Sequence, residues 1–341
     1  MDCITRGRLT VISCEAGTYF GDKIFNELKN LKLNNEIRIV ETKEETFANG
    51  EIKVVIQDSV RGDDVYVVQC MENPHHPKSI NDRLIAMFCA IDAARRAGAA
   101  FVNLVVLPYP YARQEKKKAR EPITASLIAN LLEHLSINSI ITMDVHSDAI
   151  TGFFRTTDFI NLFGANTILD YIKDNHLQLL DDLVVVSPDM GGAARAKYYA
   201  RMLNAGLALV NKERDYRKAN VIENVALIGD VKNKNVLIVD DIIDTGGTMN
   251  GVINELKKNG AKNIMVATSF AMMNGKCIDR FHELYEKKML TLVLGTDTVY
   301  HNEKFFEIYP WYKEVSIAPL VAKVIETINL RKPISDVIGK R

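Results

Sequence analysis

Val239-Asp240-Asp241-Ile242-Ile243-Asp244-Thr245-Gly246-Gly247-Thr248 is the stretch on which the reading of this chain turns. Ahead of it, Val236–Val239 completes an apolar run of the length of a buried strand. Behind it, Thr248–Lys258 carries the spacing of a helix. Gly246 and Gly247 tolerate positive φ and leave bare backbone N–H groups at one spot. The helix N-terminus adds partial positive charge there, and Thr245 and Thr248 add hydroxyl donors, which together make a phosphate cradle. Asp240 and Asp241, at the strand edge, accept hydrogen bonds from vicinal hydroxyls. Donors for a phosphate beside acceptors for a diol describe a ribose phosphate. A capped turn with solvated acids is the plainer reading, since Asp, Thr and Gly are common in turns. Three acids, two threonines and a glycine pair at one strand end exceed what a turn needs. The loop is not a Walker A motif, because GxxxxGK[ST] occurs nowhere in the sequence.

Outward from this stretch, short apolar runs alternate with helical ones, the pattern of a mainly parallel sheet covered by helices. The first half predicts strands at Asp64–Gln69, Val102–Leu107 and Ser139–Met143, with helices at Ser79–Ala97 and Thr124–Leu135. The second half predicts strands at Leu183–Ser187, Leu207–Val210, Val236–Val239, Ile264–Thr268 and Leu290–Leu294, with helices at Ala193–Leu203 and Thr248–Lys258. Two α/β units of one plan place a seam near Thr156–Ala165. The expected division is residues 1–160, 161–317 and a C-terminal helix and tail, 318–341, that returns to the first unit.

The bulk composition is that of a globular protein. Its 341 residues suffice for about two domains. Lys plus Arg and Asp plus Glu both total 43, so no global field draws the chain to nucleic acid or to a membrane surface. The opening MDCITRGRLT has no apolar core of a signal peptide, and no apolar run approaches the roughly 20 residues of a membrane span. The five cysteines lie far apart without metal-like spacing, which suits reduced thiols and a cytoplasmic location.

Other strand ends also carry chemistry. Pro108-Tyr109-Pro110-Tyr111-Ala112-Arg113-Gln114-Glu115-Lys116-Lys117 is a basic loop. In Thr142-Met143-Asp144-Val145-His146 the acid and the imidazole stand two apart, which on extended backbone puts them on one side. Ser187-Pro188-Asp189-Met190-Gly191-Gly192 repeats the scheme of a strand, an acid and a glycine turn. Lys212-Glu213-Arg214 ends a strand with two cations that alternate to one side. Each has a bland alternative: a solvated loop, a structural histidine, a turn, a charged surface.

The decapeptide resembles the phosphoribosyl pyrophosphate-binding motif, which phosphoribosyltransferases and ribose-phosphate pyrophosphokinases share. The other segments resemble the pyrophosphokinases alone, in the same order from about Leu9 to Ile328. The resemblance implies two phosphoribosyltransferase-like, Rossmann-like α/β domains with mainly parallel sheets. It implies an enzyme that transfers diphosphate from Mg-ATP to the C1 hydroxyl of ribose 5-phosphate, with Mg²⁺ as cofactor. Arg113, Gln114 and His146 match ATP contacts, and Phe47, Asn49 and Glu51, in Phe47-Ala48-Asn49-Gly50-Glu51, match residues that complete the adenine site from a neighbouring subunit. Asp144, His146 and Asp189 match the metal and phosphate positions; magnesium's preference for oxygen favours Asp144 over His146 as a direct ligand. Asp189, Asp240, Asp241, Asp244, Thr245, Gly246, Gly247 and Thr248 match the ribose 5-phosphate site. Lys212 and Arg214 match the catalytic pair, followed by a mobile loop at Asp215–Asn224. A dimer-based homo-oligomer, extending to a hexamer, is implied as well.

Three departures qualify the match. Ser13-Cys14-Glu15-Ala16-Gly17 replaces a Ser-rich turn, Arg155 replaces an acid after Gly-Phe-Phe, and Pro333-Ile334-Ser335-Asp336 lacks paired serines. Arg61 matches a regulatory arginine, but the lost serines weaken the expected anion site. The rival readings are a phosphoribosyltransferase, which leaves Tyr109–Lys117 and the doubled plan unexplained, and a catalytically inactive regulatory homologue.

Overall fold

The computed structural model describes residues 5–31, 36–214 and 222–338, and at 212–214 and 222–225 only the backbone. The chain divides into two compact units, residues 1–163 with 298–300 and 317–341, and residues 164–297 with 301–316.

In the first unit the elements are β1 (Leu9–Ser13), α1 (Thr18–Asn30), β2 (Ile37–Val40), β3 (Thr42–Thr46), β4 (Ile52–Ile56), β5 (Asp64–Cys70), α2 (Ile80–Arg96), β6 (Phe101–Leu107), α3 (Thr124–His134), β7 (Ser139–Met143) and β8 (Asp158–Leu162). Six strands pair in the order β2-β1-β5-β6-β7-β8, all parallel. Strands covered on both faces read as near-continuous apolar runs: β5, Asp-Val-Tyr-Val-Val-Gln-Cys, is buried along its whole length. β3 and β4 form a separate antiparallel hairpin. The start of α2 is fixed by a capping box, in which Ser79 and Asp82 satisfy each other's backbone N–H groups.

The second unit contains α4 (Ala165–Asn175), β9 (Leu183–Ser187), α5 (Ala193–Leu203), β10 (Gly206–Arg214), β11 (Ile222–Ile228), β12 (Asn235–Ile243), α6 (Gly247–Lys258), β13 (Ile264–Ala271), α7 (Cys277–Glu286), β14 (Leu292–Thr296), α8 (Glu303–Ile308) and β15 (Tyr312–Val315). Its sheet runs β11-β10-β9-β12-β13-β14-β15 and is parallel except at β10–β11. One face packs Val236, Ile238, Val252 and Ile253, the other Leu237, Val239, Ile168 and Tyr199. The alternation along β12 thus feeds two apolar layers.

The last long helix, α9 (Ala318–Asn329), belongs to the first unit and packs against α1. Asn329 anchors its end. The Nδ2 group donates to the Gly7 carbonyl at 3.2 Å and to Asp64 Oδ2 at 3.0 Å, while the Arg6 N–H donates to the Asn329 carbonyl at 2.8 Å. Burial pushes the Asp64 carboxyl up, against the bonds it accepts from Asn329 and Asn103.

Strands β7 and β9 have the expected bounds, while β12 does not end at Val239 but runs to Ile243. Aspartate is a poor strand former, yet β13 pairs with β12 from Ile264 to Ala271 and holds it extended. The expected strand Leu290–Leu294 lies two residues later, at Leu292–Thr296, after a left-handed residue at Lys288.

Candidate active site

In the second sheet, chain order reverses between β9 and β12: β10 lies to one side and β13 to the other. Ligands of open α/β sheets bind beyond the carboxyl ends of the strands at such a switch point. The β9–β12 ladder stops at Val186–Ile238, while β12 continues to Ile243. Asp240 and Asp241 therefore stand on a strand that has outrun its β9 neighbour. The Asp241 N–H donates to Asp240 Oδ1 at 2.9 Å, and the Thr268 hydroxyl on β13 donates to the Asp241 carbonyl at 2.9 Å. Burial and then the neighbouring Asp241 charge push the Asp240 carboxyl up to about 8; Arg195 opposes them less strongly.

Two helices begin at this edge, and neither α5 nor α6 has a side-chain cap. Their first turns leave backbone donors for an anion. Gly246 is the left-handed N-cap of α6, at φ +73°, while Thr245, Gly247 and Thr248 are exposed. The turn is held from outside: Asn274 Nδ2 donates to Asp244 Oδ1 at 3.0 Å, and Arg280 Nη1 to the Thr245 carbonyl at 2.5 Å. Across the switch, the Ser187 hydroxyl donates to the Asp189 carbonyl at 2.6 Å and the Gly192 N–H to Asp189 Oδ1 at 2.9 Å. Asp240, Asp241, Asp244–Thr248 and Asp189 thus share one sheet edge, with hydrogen-bond donors and acceptors side by side.

A Cβ on Gly246 would lie 2.8 Å from Cys277 Sγ and 3.0 Å from Phe281 Cε2, both buried. Gly246→Ala adds this clash to the cost of a left-handed alanine, together about 2 kcal/mol. The expected result is a thermal transition lowered by about 4–8 °C and a raised KM for the ligand of this turn. Calorimetry and steady-state kinetics check both.

In the first unit the candidate residues follow β6 and β7. Tyr109 is buried and its hydroxyl donates to the Ala125 carbonyl at 3.0 Å, whereas Arg113 and Gln114 are exposed. The Gln114 side-chain oxygen accepts from the Thr124 hydroxyl at 2.6 Å, tying the loop to α3. Asp144 is left-handed, at φ +41°, and His146 is exposed. This corrects the premise that Asp144 and His146 face one way, because the backbone is no longer extended at Asp144. A non-glycine residue held left-handed is strained, and such strain clusters at functional sites. After Gly152-Phe153-Phe154, the N–H groups of Arg155, Thr156 and Thr157 all donate to Glu133 Oε1, at 2.6, 2.7 and 3.3 Å. The segment carrying Arg155 is bound to α3 through its backbone.

Phe47, Asn49 and Glu51 occupy the tip of the β3–β4 hairpin, where the Phe47 N–H donates to the Glu51 carbonyl and the Glu51 N–H to Asn49 Oδ1. Phe47 is 49% exposed at this tip. Arg61 is exposed, and its guanidinium covers Gly98. Lys212 and Arg214 end β10, where pairing with β11 shifts register between Glu213 and Arg214; their side chains and residues 215–221 lie outside the described residues.

Sequence reading missed Arg195, Thr268, Asn274 and Arg280. The position of Arg195 three residues after Gly192, in the first turn of a helix, was the only available signal.

Residues 9–135 match the family model for the N-terminal domain of ribose phosphate pyrophosphokinase, and residues 163–304 that for the phosphoribosyl transferase domain. Ribose-phosphate pyrophosphokinase 2 of Enterococcus faecalis is 39% identical over 292 residues, covering 85% of each chain. The ribose-phosphate pyrophosphokinase of Bacillus caldolyticus is 36% identical over 320 residues, 92% of this chain and 96% of that one. Among solved structures, the phosphoribosylpyrophosphate synthetase of Mycobacterium smegmatis superposes with a TM-score of 0.81 at 32% identity, over 94% of this chain and 98% of that one. With both family models matched and relatives that align over nearly their whole length, this chain belongs to the ribose-phosphate pyrophosphokinase family.

Proposed function

We propose that the protein transfers the β,γ-diphosphate of Mg-ATP to the C1 hydroxyl of ribose 5-phosphate, giving 5-phosphoribosyl 1-pyrophosphate and AMP. The observation that carries this reading is the β9–β12 switch point, where an acid pair for a diol stands beside two uncapped helix starts for a phosphate. Asp240 and Asp241 accept from the ribose hydroxyls, and Asp244–Thr248 surrounds the 5-phosphate. Arg113, Gln114 and His146 contact ATP, with Phe47, Asn49 and Glu51 completing the adenine site.

The C1 oxygen attacks the β-phosphorus, the bond from that phosphorus to the α-phosphate oxygen breaks, AMP leaves in line, and the hydroxyl proton passes to solvent. Such transfers depend on positioning and charge neutralisation. Lys212 and Arg214 stabilise the charge on the moving group.

Among the described residues there is no cluster of three or more His, Cys, Asp or Glu side chains suited to a metal. That fits magnesium, which keeps its waters and takes one or two carboxylates plus substrate phosphates. Asp144 would hold it in the first unit and Asp189 in the second, with His146 on a phosphate oxygen. When bound, the ion neutralises phosphate charge and polarises the transferring group.

No helix among the described residues is long and apolar enough to cross a membrane. The exposed Phe47 tip supports a homo-oligomer, so light scattering should find no active monomer. Incubating the chain with ATP and ribose 5-phosphate and following AMP tests the reaction itself. AMP formation that needs both substrates supports it. AMP absent, with diphosphate released from phosphoribosyl pyrophosphate and a base, would instead make the chain a phosphoribosyltransferase.

A further inference from the structure

Arg195 lies in the first turn of α5, just past the turn that ends β9. Its two terminal nitrogens face different acids of β12. Nη1 stands 3.6 Å from Asp240 Oδ1, and Nη2 stands 3.6 Å from Asp241 Oδ2. Both distances exceed a hydrogen bond. The guanidinium is thus an ion-pair partner of both carboxylates rather than a hydrogen-bond donor to them. The three side chains are 26%, 17% and 11% exposed, in the order Arg195, Asp240, Asp241, so the charges meet in a partly desolvated crevice.

Two adjacent carboxylates withdrawn from water resist joint ionisation. A protonated carboxyl is a poor double acceptor, and a diol requires acceptors. A planar, permanently charged fork can span two acids, which a lysine point charge cannot. We propose that Arg195 is a positioning residue for the reaction, easing the ionisation of Asp240 beside Asp241 and aiming the two as paired acceptors for the vicinal hydroxyls of ribose 5-phosphate. This rests on the ribose 5-phosphate reading of the β12 edge.

The charged groups set against Asp240 are Asp241 on its own strand and Arg195 on α5. The neighbouring β13 brings Thr268 to Asp241, and the turn after β9 brings Asp189, bonded to Gly192. Arg195 is thereby a cation that counters the pair, and its removal pushes the Asp240 carboxyl up further.

The test uses the full chain with Arg195→Gln and Arg195→Lys, measuring kcat and both KM values at neutral and alkaline pH. Arg195→Gln should raise the KM for ribose 5-phosphate about 10- to 50-fold, as loss of charge-assisted acceptance implies. The KM for ATP should stay within about threefold. The defect should shrink at alkaline pH, where both acids ionise unaided, and Arg195→Lys should fall between parent and Arg195→Gln. An unchanged KM for ribose 5-phosphate, an equal rise for both substrates, or a defect of the same size at both pH values overturns the proposal. A fall in kcat alone does so too, moving Arg195 to the migrating diphosphate. If circular dichroism shows that Arg195→Gln does not fold, the same split read from Arg195→Lys decides. Failure of the underlying reading looks different: the unsubstituted chain would then form no AMP from ATP and ribose 5-phosphate.

Discussion

Lys212→Ala is expected to lower kcat about 10²- to 10³-fold, and Arg214→Ala by a similar factor, with both KM values changed far less. Both residues end β10, the strand beside β9 at the switch point. As the diphosphate separates from AMP, negative charge builds on oxygens that were shared before. Cations that meet this charge most strongly in the transition state contribute to kcat and little to ground-state binding. Steady-state AMP formation at saturating substrates checks the figure. A kcat within a few-fold of the parent in either variant would remove that residue from the chemistry.

Asp240→Asn should raise the KM for ribose 5-phosphate about 10- to 100-fold while the KM for ATP moves little, because an amide replaces a charged acceptor. The same substitution should make the ligand-free protein more heat-stable. In the folded chain the Asp240 carboxyl sits at about 8, above the roughly 3.9 of an unfolded aspartate. A raised folded value favours the protonated form, so its stabilising contribution is complete below about pH 4 and is lost as pH rises towards 8. Asparagine cannot ionise and escapes that loss. The variant should match the parent near pH 4 and melt about 3–6 °C higher at pH 8 and above, as a gain of about 1–2 kcal/mol produces. Equal melting temperatures at pH 8 would mean that the two acids ionise without conflict. Loss of substrate affinity together with a gain in stability would mark the acid pair as a site held under electrostatic strain.

What the sequence disclosed follows from which forces act locally. Leu183–Ser187 and Ser139–Met143 were read to the residue because an apolar run bounded by polar residues is itself the cause of a buried strand. β1 escaped notice although it is wholly buried. Its Thr10 interrupts the apolar run and is accommodated because its hydroxyl donates to Asp63 Oδ2, 53 positions along the chain, at 2.7 Å, and accepts from Arg38 Nε at 3.1 Å. The hairpin strand Thr-Lys-Glu-Glu-Thr is too polar to announce itself, and its partner Ile-Lys-Val-Val-Ile rests Val54 and Ile56 on the first unit's core. At the site, the glycine turn and the acids were legible because their conformational demands are written into the residue types. Arg195 was not, since an arginine in a helix reads as a solvated charge until the sheet brings β12 beside β9. Nor was the left-handed turn at Asp144, which no residue type announces.

The return of α9 to the first unit affects the order in which the protein is made. When Phe163 leaves the ribosome, the first unit still lacks the helix that covers α1 and the asparagine that ties Gly7 to Asp64. At about 5–20 residues per second, that gap lasts for roughly ten to thirty seconds. The second unit, begun later, has all its strands by Val315 and can close first. During that interval the nascent first unit presents an apolar groove to whatever lies near the tunnel exit. A stall or a premature stop before Asn329 would leave a chain with one finished half and one unfinished half, a natural substrate for chaperones and proteases.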